Sequence, residues 1–341
     1  MDNKRSAGIP AITGEIDRSQ AIQIFPSALL PYRSTILAYG TSFLSTTIGF
    51  PFDTVKTRLQ TYKNFTSNMD CIVKTFKAEG IRGFYRGIMA PLVSTSFVRS
   101  ISVSIFTTTK PYFYEAFYGW DTPGETVVHP LIRNLPVCFA AGAAAGAGVS
   151  ILACPFEFSK VYAQIAMLAQ KRARESNPQT NGFKQEMEPY KPSLRSTATN
   201  IIKYEGIFGL YSGYRYHFFR DFLGSGVYFA VYESFKWATN VLINSDLSIS
   251  SPFSILLAGG MSGLTCWAIV FPIDTTKTLI QKDCVTNIMR KEEGLQPLPL
   301  KKRKIHPSKD MYRGLGISMT RSFIVNMVFF GVYELSMKNF I

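Results

Sequence analysis

The sequence predicts an all-α membrane protein: six transmembrane helices in three pseudosymmetric repeats, with a short helix after each odd-numbered span. Three observations predict it. A Pro-x-acid-x-x-base motif occurs three times, as PFDTVK from Pro51, PFEFSK from Pro155 and PIDTTK from Pro272. Each copy follows an apolar run. A second element recurs behind it: AEGIRGFYRG at 78–87 matches YEGIFGLYSG at 204–213, with a worn copy, DMYRG, at 310–314. One such motif arises easily by chance. Three in register with a second repeating element do not, and internal repeats decide fold class before other signals.

The spans themselves are polar for a membrane protein. The 341 residues are 46% hydrophobic, with a mean hydropathy of only +0.08. Uninterrupted apolar runs of about 20 residues, the usual mark of a lipid-spanning helix, are scarce. Residues 132–154 and 253–271 come nearest, and even these hold Ser, Thr or Gly. A spanning helix tolerates polar residues where one face lines a water-filled cavity. Amphipathic spans around a central cavity are therefore expected.

Each repeat reads as span, motif, polar linker, short helix, aromatic-x-Gly, span. The even-numbered spans fall at 88–116, 214–241 and 315–340. The expected organisation is an N-terminal extension over 1–32 and repeats over 33–120, 130–241 and 250–341. Six spans put both termini on one side and the three linkers on the other. The linkers at 165–193 and 282–309 carry polar, proline-bearing insertions that read as loops. In the third, EEG (292–294) lies close behind the span and a basic insertion separates it from Tyr312-Arg313-Gly314. The short helix there does not align with the other two.

Other function classes find little support. The formal net charge is +14. Its basic residues cluster near span ends and in linkers such as KKRK (301–304), which suits anionic lipid headgroups or anionic solutes. No zinc-finger spacing or RNA-binding aromatic motif is present, so no nucleic acid is expected. Cys71, Cys138, Cys154, Cys266 and Cys284 show no metal spacing and no disulfide framework; they read as small buried thiols. His129, His217 and His306 do not recur with the repeat, and no nucleotide-binding glycine loop appears, so no enzyme site is expected. The glycine-rich AGAAAGAG (141–148) lies mid-span, where small residues serve close helix packing. The first 30 residues hold Asp2, Glu15 and Asp17 and no apolar h-region, so any targeting address is expected to be internal.

The motif has a physical reading. Proline inside a helix removes a backbone hydrogen bond and kinks it. Three kinks at equal depth would draw three helix ends inward to close one end of a bundle. Acid and base sit three apart, in Asp53 and Lys56, Glu157 and Lys160, Asp274 and Lys277, and so share a helix face. They could pair within a helix, or each acid could reach the base of a neighbouring helix to make a ring of three ion pairs. Such pairs in a low-dielectric plug are costly to leave broken but not strongly favourable overall. That balance suits a gate. Gln60, Gln164 and Gln281 each follow the base by four residues and are placed to brace the ring.

These residues resemble the mitochondrial carrier family, whose signature is Pro-x-[Asp/Glu]-x-x-[Lys/Arg] in three copies, each followed by [Asp/Glu]-Gly and [aromatic]-[Lys/Arg]-Gly. The resemblance runs over about 33–341 with all three signatures intact. It implies a three-fold pseudosymmetric six-helix bundle in the mitochondrial inner membrane, with short matrix-side helices and both termini facing the intermembrane space. It implies transport of a small metabolite by alternating access, cardiolipin near the short helices, no cofactor, and a functional monomer. The Asp53, Lys56, Glu157, Lys160, Asp274 and Lys277 ring is then the matrix gate. The family's outer gate, [Phe/Tyr]-[Asp/Glu]-x-x-[Lys/Arg], is complete only in Tyr232-Glu233-Ser-Phe-Lys236. Phe106-Thr107-Thr-Thr-Lys110 lacks its acid and Tyr333-Glu334-Leu-Ser-Met337 its base. Pairing base to next acid keeps Lys110–Glu233 and Lys236–Glu334 and leaves Thr107 opposite Met337, both neutral. The reverse order strands a buried charge in two contacts, which desolvation disfavours.

Repeat symmetry locates a central site. Seven residues after Gly87, Gly213 and Gly314 come Ser94, Arg220 and Arg321; one further come Thr95, Asp221 and Ser322. Arg99 lies one turn beyond Thr95. An arginine within a span is a functional-site candidate by default. Thr95, Arg99, Arg220, Asp221 and Arg321 are the expected substrate contacts. Arg220-Asp221, Trp267 and Arg321-x-Phe323-x-x-Asn326 resemble the amino acid and carnitine/acylcarnitine branch. There the arginine would take a carboxylate and the aspartate an ammonium group. Basic amino acid carriers have an acid near 98, where this chain has Val98 followed by Arg99. An amino acid or carnitine-like zwitterion is the expected substrate. The alternatives are a plain organic anion (di- or tricarboxylate, keto acid or nucleotide) and a non-transporting scaffold.

Overall fold

A computed structural model describes residues 24–61, 68–85, 88–119, 130–176, 194–243, 251–299, 312 and 315–340. Eight α-helices occur among them: α1 (Arg33–Thr61), α2 (Asn68–Phe84), α3 (Met89–Tyr118), α4 (Pro130–Ser176), α5 (Leu194–Glu205), α6 (Tyr214–Ile243), α7 (Pro252–Glu292) and α8 (Leu315–Asn339). No extended strand occurs among the described residues. Six of these helices have 25 residues or more. At about 1.5 Å per residue each exceeds the ~30 Å hydrocarbon core of a bilayer. Two segments, Leu131–Ala163 and Pro252–Glu292, are both long and apolar enough to cross a membrane.

The motif prolines lie inside helices, as their kink-forming reading requires. Past Pro51, α1 runs on to Thr61; past Pro155, α4 runs on to Ser176; past Pro272, α7 runs on to Glu292. Each motif acid and base is therefore displayed on helix, three residues apart. The backbone also resolves the third linker. Gly80, Gly206 and Gly294 all adopt positive φ, at 64°, 71° and 73°. Each follows a glutamate, Gly80 at a kink inside α2 and Gly206 and Gly294 just past the ends of α5 and α7, at a positive φ that glycine adopts without steric cost. Gly294 is thus the third copy of the Glu-Gly element. It follows Pro272 by 22 residues where Gly80 follows Pro51 by 29. The shorter interval leaves no room for a separate short helix, and α7 carries straight through to the glycine.

The chain divides into two compact units. The first comprises Met1–Val149, Asp221–Val270 and Arg313–Ile341. Within it α1 packs against α2, α3 and α8. Its core is aromatic: Phe106 stacks on Phe229 with centroids 4.0 Å apart, and Tyr232 stacks on Phe330 at 3.6 Å. The small residues of AGAAAGAG let α4 approach the α6 backbone closely. A Cβ at Gly142 would meet the Ser225 carbonyl oxygen at 2.5 Å, and one at Gly146 the Asp221 carbonyl oxygen at 2.0 Å.

The second unit comprises Ser150–Arg220 and Phe271–Tyr312. Phe158, Tyr162, Ile201, Val285 and Ile288 form its core. Lys291 pairs with Glu205 at 2.6 Å. The Asn287 side chain clasps the segment after α7, donating to the Leu298 carbonyl and accepting its N–H, each at 2.9 Å.

Candidate functional site

In the second unit, the residues of α4 and α7 expected at the matrix gate meet. Glu157 Oε2 is ion-paired with Lys277 Nζ. These are acid and base of successive repeats, so the pair runs between helices and not along one. Arg220 joins them from α6. Its Nη2 donates to Glu157 Oε1 at 3.0 Å, and its Nη1 donates to Asp274 Oδ1 at 3.2 Å. His217, one turn before Arg220 and fully buried, places Nδ1 3.5 Å from Glu157 Oε2. Lys160 is half-buried on α4. Gln281 is buried, and its amide nitrogen has no acceptor within reach among the described residues. The side chains of Lys56, Gln60 and Gln164 lie outside the described residues.

In the first unit the remaining motif acid, that of the first copy, has the same kind of partner. Asp53 of α1 is ion-paired with Arg321 of α8. Both symmetry-related arginines therefore hold motif carboxylates. Arg99 is different. It donates to Tyr228 Oη at 2.9 Å and to Asn326 Oδ1, and its guanidinium lies 4.1 Å from the Phe329 ring centroid. Tyr228 Oη donates to Asn326 Oδ1 at 2.9 Å, and Asn326 Nδ2 donates to Ser322 Oγ at 2.8 Å. Neutral acceptors and a ring face, a cation–π arrangement, hold this cation. Thr95 Oγ1 lies 3.4 Å from Thr46 Oγ1. Asp221 is half-buried at the point where α6 meets the small-residue face of α4.

The residues expected at the outer gate also lie in the first unit. Lys110 pairs with Glu233 at 3.2 Å, and Lys236 with Glu334 at 2.6 Å. All four side chains are nearly fully buried. Tyr232 Oη donates to Glu334 as well. At the neutral third position Thr107 donates to the Ser104 carbonyl at 3.0 Å. Arg33, buried at the start of α1, donates to the Met337 backbone carbonyl. A cation thus meets a carbonyl of the last turn of α8, where the helix dipole favours positive charge.

Sequence reasoning missed three of these side chains. Arg33, Tyr228 and His217 carry no repeat signal, and Asn326 appeared only through a family resemblance. Asn326 and Arg99 do share one hidden regularity: each lies twelve residues after its repeat glycine.

The family profile described as Mitochondrial carrier protein matches residues 28–117, 133–240 and 249–341. The chain is 35% identical over 298 residues to "Mitochondrial ornithine transporter 1" of Schizosaccharomyces pombe, covering 87% of this chain and 89% of that one. It is 30% identical to a "Mitochondrial carnitine/acylcarnitine carrier-like protein" of Arabidopsis thaliana, covering 85% and 92%. It is 25% identical to "Mitochondrial arginine transporter BAC1" of the same plant, covering 90% and 93%.

Proposed function

Since the chain belongs to the mitochondrial carrier family, whose members are transporters and not enzymes, we propose that it moves a small carboxylate-bearing metabolite across the mitochondrial inner membrane by alternating access. The metabolite is an amino acid or carnitine-like zwitterion, taken in exchange for another. One observation carries this reading. Arg220 holds Glu157 and Asp274, and Arg321 holds Asp53. A substrate carboxylate that binds either arginine competes with a gate carboxylate for the same planar fork of donors. Binding then loosens the gate, which is what transport requires of a substrate. Asp221, beside Arg220 in sequence, takes the ammonium group.

The relatives bracket the choice. One is named for ornithine, one for arginine and one for carnitine or acylcarnitine. Arg99 weighs against the dibasic members of that set. A second cation on the substrate would meet a guanidinium that has only neutral partners among the described residues. The same observation favours a plain organic anion as the second reading. The long helices α1, α3, α4, α6, α7 and α8 form the six spans of the proposed bundle, with both termini in the intermembrane space. Cardiolipin binds beside α2 and α5, and the monomer is the transporting unit.

Reconstitution tests this directly. Purified protein in cardiolipin-containing liposomes is preloaded with one unlabelled metabolite of a panel and offered its labelled form. Neutral amino acids and carnitine should exchange. Exchange confined to di- or tricarboxylates would select the second reading, and no exchange with any compound would reject transport of this class.

A further inference from the structure

We infer that Arg33 is the third closure of the outer gate: with Ser100 it joins α8 to α3 through the start of α1, where the repeat has lost its ion pair. The inference rests on the alternating-access reading above. Two buried ion pairs link three helices of the first unit. Lys110 joins α3 to Glu233 on α6 at 3.2 Å, and Lys236 joins α6 to Glu334 on α8 at 2.6 Å. The remaining seam, α8 to α3, falls to Met337 and Thr107, which cannot form an ion pair. Left so, the ring would have two links and one open side.

The first turn of α1 bridges that side. α1 packs against both α3 and α8. Arg33 Nη2 donates to the Met337 carbonyl of α8. Two residues on, the Thr35 carbonyl accepts from Ser100 Oγ of α3 at 2.7 Å. Arg33, Ser100 and Met337 are all buried. The acceptor suits a cation. Met337 lies among the last four residues of α8, whose carbonyls have no donor within the helix. They also form the negative end of its dipole. Position 337 is where the other two repeats carry a base, Lys110 and Lys236. Here the base comes from a different helix and bonds the backbone of that position. A buried guanidinium without a partner is costly, so closing this seam and satisfying Arg33 are one event. The ring then runs α3, α6, α8, α1 and back to α3.

The test reads the separation of α3 from α8. Spin labels are carried on genetically encoded side chains at Tyr112 of α3 and Leu335 of α8, both exposed, with the native cysteines untouched. Pulsed dipolar spectroscopy is run on full-length protein in cardiolipin-containing nanodiscs without added substrate. The unaltered protein should populate a short separation. Arg33→Met removes the donor and keeps an apolar stem. It should raise the ratio of long to short separations by about ten-fold or more, the worth of one charged hydrogen bond. Adding Thr107→Asp with Met337→Lys supplies an ion pair directly between α3 and α8 and should bring the ratio back. If Arg33 only pinned the start of α1, a pair on two other helices would repair nothing. An unchanged ratio in Arg33→Met overturns the closure, and so does a raised ratio that the added pair leaves raised. Should Arg33→Met not fold, Arg33→Gln, which loses the charge and the reach, is read by the same criteria. Exchange of L-alanine and L-carnitine by the unaltered protein in liposomes judges the transport reading separately. If neither exchanges while the ratio responds as expected, the substrate reading fails and the Arg33 closure stands.

Discussion

Arg321 on α8, an expected substrate contact, is ion-paired with Asp53, the motif carboxylate of α1. The guanidinium can serve one carboxylate at a time with its full fork of donors. Arg321→Lys should keep a charge near Asp53 but lose the planar geometry. Losing one charged hydrogen bond costs about 1.5–3 kcal/mol, which is roughly ten- to a hundred-fold in apparent affinity. Exchange rates in liposomes should fall by that order while thermal unfolding shows the protein intact.

The Glu157–Lys277 pair bridges α4 and α7. Lys277→Glu places two carboxylates together and should abolish most exchange. The double variant Glu157→Lys with Lys277→Glu should restore part of it. Restoration stays partial because Arg220 also faces position 157 and would meet a lysine there. Equal inactivity of the single and double variants would mean that the pair does not act as a unit. The same swap between Lys56 and Asp274 tests the copy whose lysine side chain lies outside the described residues.

Close packing of α4 on α6 positions the segment from Asp221 to Ser225. Gly146→Ala places a methyl group 2.0 Å from the Asp221 carbonyl oxygen. Backbone cannot yield as a side chain can, and overpacking typically costs about 1–3 kcal/mol. The variant should unfold at lower temperature in a thermal-shift assay. It should also lose exchange more than Gly40→Ala, where nothing lies within 4 Å of the added carbon.

Much of this organisation was legible in the chain because repetition is a signal in itself. Three copies of Pro-x-acid-x-x-base placed the motif acids and bases on helix faces at equal spacing. The third linker was opaque to spacing, since seven residues are missing between Pro272 and Gly294 relative to the first repeat. What identifies Gly294 is backbone conformation, a φ shared with Gly80 and Gly206. Partners across helices were less legible. That Arg220 reaches Glu157 and Asp274, or that Tyr228 and Asn326 hold Arg99, depends on how helices rotate and approach. No one-dimensional pattern encodes that. Arg33 shows the same limit: nothing in its neighbourhood marks it as the partner of a carbonyl 304 residues away.

In the proposed function, Arg99 sets the charge of the substrate that can enter. With Tyr228, Asn326 and Phe329 around it, the guanidinium opposes a second cation. Arg99→Glu should therefore gain exchange of ornithine and arginine and lose exchange of dicarboxylates. Competition assays against a labelled neutral zwitterion measure both shifts. An unchanged ranking of competitors would remove Arg99 from the specificity site.

The most direct measurement is exchange by liposomes carrying the unaltered protein, Arg220→Lys or Asp221→Asn, each checked for folding by thermal shift. Arg220→Lys should lose most exchange of every carboxylate substrate, because the fork shared by substrate, Glu157 and Asp274 is gone. Asp221→Asn should sharply reduce exchange of zwitterions and spare plain carboxylates. Normal exchange by folded Arg220→Lys would contradict the assignment of the carboxylate to Arg220, and with it the competition that links substrate to gate.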